Sequence, residues 1–140
     1  MSKLIFVNLP VADLSASMAF YERVGFTNNP QFTDNTAACM VLSETIHVML
    51  LTHEKFSFFC KRPIADAHAT AQMLICISAA SREDVDAIVT KAAESGGKAD
   101  PNAPQDFGFM YGRSYEDLDG HIFEVMFMDM EAAQRTMTQG

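Results

Sequence analysis

Few side chains in this sequence combine reactive chemistry with an apolar setting, and they are scattered along the chain. Glu124 interrupts the run Ile122-Phe123-Glu124-Val125-Met126, and His47 stands two residues before Met49 in another apolar run. Asn8 and Cys76 are embedded in two more. A carboxylate on an apolar strand face can act as a general acid or base, with an imidazole such as His47 to assist. Its alternative role is to pair with Arg113 or His47 in a satisfied polar network. Asn8 either positions a ligand or bonds to its neighbours. The block Phe107-Gly108-Phe109-Met110-Tyr111-Gly112-Arg113-Ser114-Tyr115 sets Phe109, Tyr111, Arg113 and Tyr115 at alternate positions. One strand face would then carry rings beside a guanidinium able to hold an anionic group; the other reading is aromatic cross-strand pairing with a surface arginine. His121, directly after Asp119-Gly120, suits a strand-end hydrogen bond. Cys39, Cys60 and Cys76 form no close pair and no CxxC, so the thiols read as reduced and no structural zinc site is suggested. No GxGxxG, P-loop or nucleophile elbow supports nucleotide binding or serine hydrolase chemistry.

Strands and helices must position these groups, and their pattern occurs twice. Residues 4–9 read as a strand ending at Pro10, which cannot donate to a ladder. Asp13 can cap a helix with the stripe Leu14, Met18, Tyr21 and Val24, stopped by Gly25. Strands are then expected at 26–33, 37–42 and 46–52, separated by the turn pairs Asp34-Asn35 and Ser43-Glu44. Residues 53–70, with Phe56, Phe58, Phe59 and the breaker Pro63, read as a connection in which the rings form a lid, a dimer contact or a cluster under the loop. The order restarts with a strand at 73–78 and a helix opened by Ser81 and Asp84, with Val85, Ile88, Val89 and Ala92 as its stripe and Gly96-Gly97 as its end. Three more strands follow, near 98–99, 109–115 and 121–128, and residues 131–139 suit a short terminal helix or tail.

Composition bounds what such a chain can be. At 140 residues and 49% hydrophobic content, one domain with one core is expected. The apolar runs fall far short of the roughly 20 residues that span a bilayer, and Lys3 leads straight into a strand pattern without a signal-type apolar region, so a cytoplasmic location is expected and no membrane partner. A net charge of −8 without a Lys/Arg cluster disfavours a phosphate backbone, and no nucleic-acid partner is expected. Ten methionines suit irregular core gaps or an adaptable apolar cavity.

The opening Phe6-Val7-Asn8-Leu9-Pro10-Val11-Ala12-Asp13-Leu14, with Ala19-Phe20-Tyr21-Glu22 and Gly25-Phe26, resembles that of glyoxalase/bleomycin-resistance (vicinal oxygen chelate) proteins. The close, Asp117-Leu118-Asp119-Gly120-His121-Ile122-Phe123-Glu124-Val125, is similar to that superfamily's DPDG turn and last metal-bearing strand, and Gly96-Gly97 sits where those proteins have a glycine pair. The motifs span nearly the whole chain in the right order. The resemblance implies an α+β fold of two tandem βαβββ modules, at about 3–53 and 71–129, whose curved sheets surround a shared cavity, commonly in a homodimer. By alternation, Ile5, Val7, Leu9, Val48, Leu50, Ile75, Ile77, Phe123, Val125 and Phe127 would face helices, leaving Phe6, Asn8, His47, Met49, Leu51, Leu74, Cys76, Ile122, Glu124 and Met126 for the cavity.

In metal-dependent members of the superfamily, four side chains on four strands hold a divalent ion. The resemblance places Phe6, Met49, Leu74 and Glu124 at those positions, and only Glu124 could bind metal. The expectation is therefore metal-free binding of an amphipathic small molecule, without a cofactor. Glu124 and His47 are the candidate catalytic groups, and Phe6, Asn8, Met49, Leu74, Cys76, Tyr111 and Arg113 the candidate ligand-binding ones. The alternative is a lyase, isomerase or dioxygenase that uses Glu124 with His47 or an atypical divalent metal, completed by Asn8 or Cys76.

Overall fold

The computed structural model describes residues 2–132 and 134, so most of the expected terminal helix lies outside the described residues. The chain divides into two compact units, one of residues 1–70 with 118–120 and one of residues 71–117 with 121–140.

The first unit has the order β1 (Ile5–Val11), α1 (Leu14–Arg23), β2 (Thr27–Asn29), β3 (Ala37–Val41), β4 (Ile46–Thr52) and α2 (His53–Phe59). Its sheet runs β1-β4-β3-β2, with β1 parallel to β4 and the other pairs antiparallel. A helical crossover is what allows the first and last strands of such a unit to lie parallel. β1 continues through Pro10, two residues beyond the expected end, because it is the outer strand of this sheet and a missing N–H is tolerated there. Asp13 caps α1 as expected, accepting from the Ala16 N–H at 3.0 Å. The buried face of α1 is Ser17, Phe20 and Tyr21, rotated from the expected stripe, with Leu14 and Met18 only half-buried. Ser17 can sit inside because its hydroxyl donates to Asp119 Oδ2 at 3.3 Å. Asp119 also accepts from the Ala12 N–H at 2.8 Å, which ties the entry of the helix to the 118–120 turn. Gly120 there has φ +90°, and a Cβ would lie 2.6 Å from the His68 nitrogen, so only glycine fits.

Two further expectations change. β2 is three residues long because Pro30 opens a 3-10 turn over Pro30–Phe32, with Asn29 accepting from the Gln31 N–H. The expected connection begins instead with α2, capped by the Thr52 hydroxyl, which accepts from the Lys55 N–H at 3.2 Å. This helix packs against β1 and β4 and leaves Phe58 and Phe59 exposed.

The second unit repeats the plan with β5 (Ile75–Ser78), α3 (Arg82–Glu94), β6 (Lys98–Ala99), β7 (Gln105–Asp106), β8 (Met110–Glu116) and β9 (Ile122–Met128). The order is β5-β9-β8-β6, with β7 also pairing with β8 and β5 parallel to β9. Ser81 accepts from the Asp84 N–H while Asp84 accepts from the Ala80 N–H, and Val85, Val89 and Ala92 are buried as their spacing predicts. Behind the sheet, Tyr115 and Phe123 are fully buried and stacked at 5.2 Å. Val48 and Leu50 in one sheet and Phe123 and Val125 in the other form the core faces that alternation assigns to helix packing, but Ile5 at the strand start is 55% exposed.

Candidate functional site

Strand pairing decides which side chains meet. In the second unit, Glu124 lies on β9 between Cys76 on β5 and Ser114 on β8. Met126 follows on the same face, opposite Gly112, and Gln105 on β7 is the next partner of Gly112. The face is therefore acidic at one point and thioether-rich beside it. A pocket of about 50 Å³ opens here, lined among others by Cys76, Asn102, Gln105, Met110, Glu124 and Met126. Gly112 makes the space: its missing side chain would meet only the Val125 carbonyl oxygen, at 3.7 Å.

The pocket wall formed by residues 100–109 is anchored from three sides. The Ser114 hydroxyl, buried in the sheet, accepts from the Asn102 N–H and donates to the Asn102 carbonyl, both at 3.1 Å. Arg113 donates to both Asp100 oxygens, at 3.0 and 2.7 Å, and to Asp86 Oδ1 at 3.0 Å. Arg82 grips Asp106 through two bonds of 2.9 Å, donates to the Gly108 carbonyl, and lies over the Tyr111 ring. The Tyr111 hydroxyl donates to Asp86 at 2.6 Å.

These bonds set the local electrostatics. Asp100 holds the Arg113 guanidinium charged far above any working pH, against an opposing burial cost, with Asp86 adding to the effect. The hydrogen bond from Tyr111, then that from Arg113, lowers Asp86 below the usual carboxylate value. The Arg82 bonds hold Asp106 down to about 2. Partial burial of its sulfur, and then the Glu124 carboxylate, pushes the Cys76 thiol up, so Cys76 stays protonated and is a poor nucleophile.

Arg113 also lines the pocket, while its guanidinium donates to Asp86 and Asp100 and the Tyr111 hydroxyl to Asp86. Arg113 and Tyr111 share the face of Tyr115, which packs toward α3, whereas Glu124 pairs with Ser114 on the opposite face. Leu74 precedes β5 and is half-exposed, so Cys76 is the β5 residue beside Glu124. Glu124 itself has no hydrogen-bond partner among the described residues. The signal for the opposite placement of Arg113 was the parity along β8. Asn102, Gln105 and Ser114 join the site only through the register of β7 and β8.

In the first unit, Phe6 pairs with His47 and Asn8 with Met49. The Phe6 ring stacks on His47 at 4.5 Å and 18°, and His47 Nδ1 is buried without a hydrogen-bond partner among the described residues. Asn8 is exposed and donates to the Phe6 carbonyl, two residues away, at 3.1 Å. Phe6 remains 48% exposed.

Among the described residues, no group of three or more His, Cys, Asp or Glu is placed to hold a metal ion. The donors around Glu124 are a protonated thiol, the Ser114 hydroxyl held by the Asn102 backbone, thioethers, and the neutral side-chain amides of Asn102 and Gln105. A hard divalent ion is held best by several carboxylate or imidazole ligands, and Glu124 is the one such group in this lining.

Comparison with known proteins agrees with the fold so assembled. Residues 3–43 match the model of the bleomycin resistance protein-like N-terminal family. No curated relative matches the sequence. Among solved structures, the chain is similar to the hypothetical protein SA1046 from S. aureus, with 26% identity and a TM-score of 0.76 over 91% of this chain and 95% of that one. A glyoxalase/bleomycin resistance protein/dioxygenase family enzyme from Burkholderia phytofirmans PsJN is similar at 19% identity and a TM-score of 0.74, over 91% and 99% of the two chains. The fosfomycin resistance protein FosX from Listeria monocytogenes follows at 18% identity and 0.62, over 91% of each chain. The resemblance carried by the motifs therefore holds: this chain has the vicinal oxygen chelate fold of two βαβββ modules. Among the described residues, no helix is long and apolar enough to cross a membrane.

Proposed function

We propose that this protein binds an amphipathic small molecule, without a metal ion, in the pocket of its second unit. The observation that carries the reading is Glu124, a half-buried carboxylate without a hydrogen-bond partner among the described residues, set beside Met110 and Met126 in a pocket held open by Gly112. An apolar portion of the ligand would lie along the adaptable thioethers, and a polar end would meet Glu124 and the Asn102 and Gln105 amides. Relatives named for bleomycin and fosfomycin resistance support a protein that meets a small molecule. We also propose a homodimer, supported by the apolar side chains that both units leave in water, Ile5 and Phe6 in one and Met73 and Leu74 in the other.

Elemental analysis, then calorimetry with zinc, nickel, iron(II) and manganese, tests the metal-free part. The expected outcome is no stoichiometric binding; binding that Glu124→Gln abolishes would overturn it. A thermal-shift screen of amphipathic compounds tests the pocket, with stabilisation expected in the wild type and reduced in Glu124→Gln.

A further inference from the structure

We propose that the pocket of the second unit selects ligands with a protonated amine or amidinium head, bound at Glu124. The inference rests on the reading of this pocket as a small-molecule site and adds the charge of the ligand. Four observations converge on it. First, the Glu124 carboxylate, flanked on its own sheet by Cys76 and Ser114, accepts no hydrogen bond from the described residues. Half-buried among thioethers, it is short of the donors that a carboxylate ordinarily collects, and a charged N–H donor supplies the strongest replacement.

Second, the positive charge that could have filled this role is already engaged. Arg113 is among the residues lining the pocket, but Asp86 and Asp100 take its guanidinium donors. Those two carboxylates more than neutralise one guanidinium, so the network behind the sheet adds no attraction for an anion. Third, the neutral polar groups beside Glu124 are matched to the same head. The side-chain amides of Asn102 and Gln105 have no partner among the described residues, and their carbonyl oxygens can accept further N–H bonds from an ammonium or amidinium. Fourth, the chain carries a net charge of −8, which favours the approach of a cation over an anion.

Hexylamine, hexylguanidinium, hexanol and hexanoate share one apolar tail and differ in the head. Each is titrated into the full chain at pH 7 and followed by amide chemical shifts. The expected result is that the two cations move the amides of residues 76, 112–114 and 124–126, with hexanol about tenfold weaker and hexanoate weaker still. Glu124→Gln should erase the preference for hexylamine over hexanol, Glu124→Asp should keep it, and added salt should shrink it in the wild type. Should hexanol bind as tightly as hexylamine, the charge inference falls while the pocket stands. Retention of the preference in a folded Glu124→Gln protein also overturns the inference. If none of the four compounds moves these amides, the reading of the pocket falls along with it.

Discussion

The two units share a plan and differ in what they do with one sheet face. In each, the first and last strands lie parallel, joined through a helix whose stripe is buried behind the sheet. On the other face, the first unit stacks Phe6 on His47 and sets exposed Asn8 beside Met49. At the corresponding place the second unit has a carboxylate without a hydrogen-bond partner among the described residues and a glycine where a side chain would stand. The helix-facing residues answer to packing and so are apolar in both units. The opposite faces differ in composition: the first unit sets the Phe6/His47 pair beside buried Cys39 and Leu51, and the second sets a carboxylate beside thioethers in a pocket. A fold fixes where chemistry can be placed, and the site must be argued separately.

Several substitutions would break or sharpen this contrast. The largest effects should be equal in the two units: Phe20→Ala and Phe123→Ala each remove a fully buried ring and should cost about 3–5 kcal/mol by chemical denaturation. A cost below about 1 kcal/mol for either would mean that its unit does not depend on its helix-facing core as the shared plan requires. Next comes the network found only in the second unit. Arg113→Met leaves Asp86 and Asp100 without their cation and should cost about 1–2 kcal/mol, a discounted figure because Asp86 is half-exposed.

On the open faces the two units should respond with opposite meaning. His47→Phe removes a buried nitrogen that has no partner and extends the stack on Phe6, so it should be neutral or stabilising by up to about 1 kcal/mol and leave ligand binding unchanged. Gly112→Ala should stabilise by about 0.5–1 kcal/mol, since alanine orders more cheaply in a strand, while weakening ligand binding by filling the pocket. A Gly112→Ala protein that binds as well as wild type would show that the space over Gly112 is unused.

The smallest effect concerns pH. Asp106 is held by Arg82 at about 2, below the ordinary 3.8, so its contribution is fully present above pH 4 and is lost as pH falls toward 2. Protection of residues 100–109 from hydrogen exchange should fall over that window, with no matching change in the first unit. Arg82→Gln should abolish the dependence.

Much of the architecture was legible because it follows from local rules. Ser81 with Asp84, the Val85/Val89/Ala92 stripe, and the apolar runs of β4 and β9 each signal their element without help from the rest of the chain. The misses share a cause in context. The α2 helix hid behind the aromatic cluster because its cap, Thr52, belongs to the end of a strand. β2 was overextended because Pro30 can close a strand or open a 3-10 turn, and Asn29 decides between them. In the site, Glu124 and Cys76 could be singled out from alternation alone. The pairing of Arg113 with Asp86 and Asp100 was not legible, because its parity along β8 says nothing of where α3 and Asp100 pack.

Alternation and residue type by themselves determined that Glu124 is an acid among apolar neighbours, that the βαβββ order occurs twice, and that Phe6 and Leu74 carry no donor and Met49 only a soft thioether. These are properties of a residue and of its near neighbours in the chain. Only tertiary structure decided that Cys76 and Ser114 flank Glu124, that Asp86 and Asp100 claim Arg113, and that the gap over Gly112 opens between Met126 and Gln105. The first and last depend on the register of β5, β7, β8 and β9, and the second on α3 and Asp100 packing beside β8, none of which a residue's near neighbours in the chain decide.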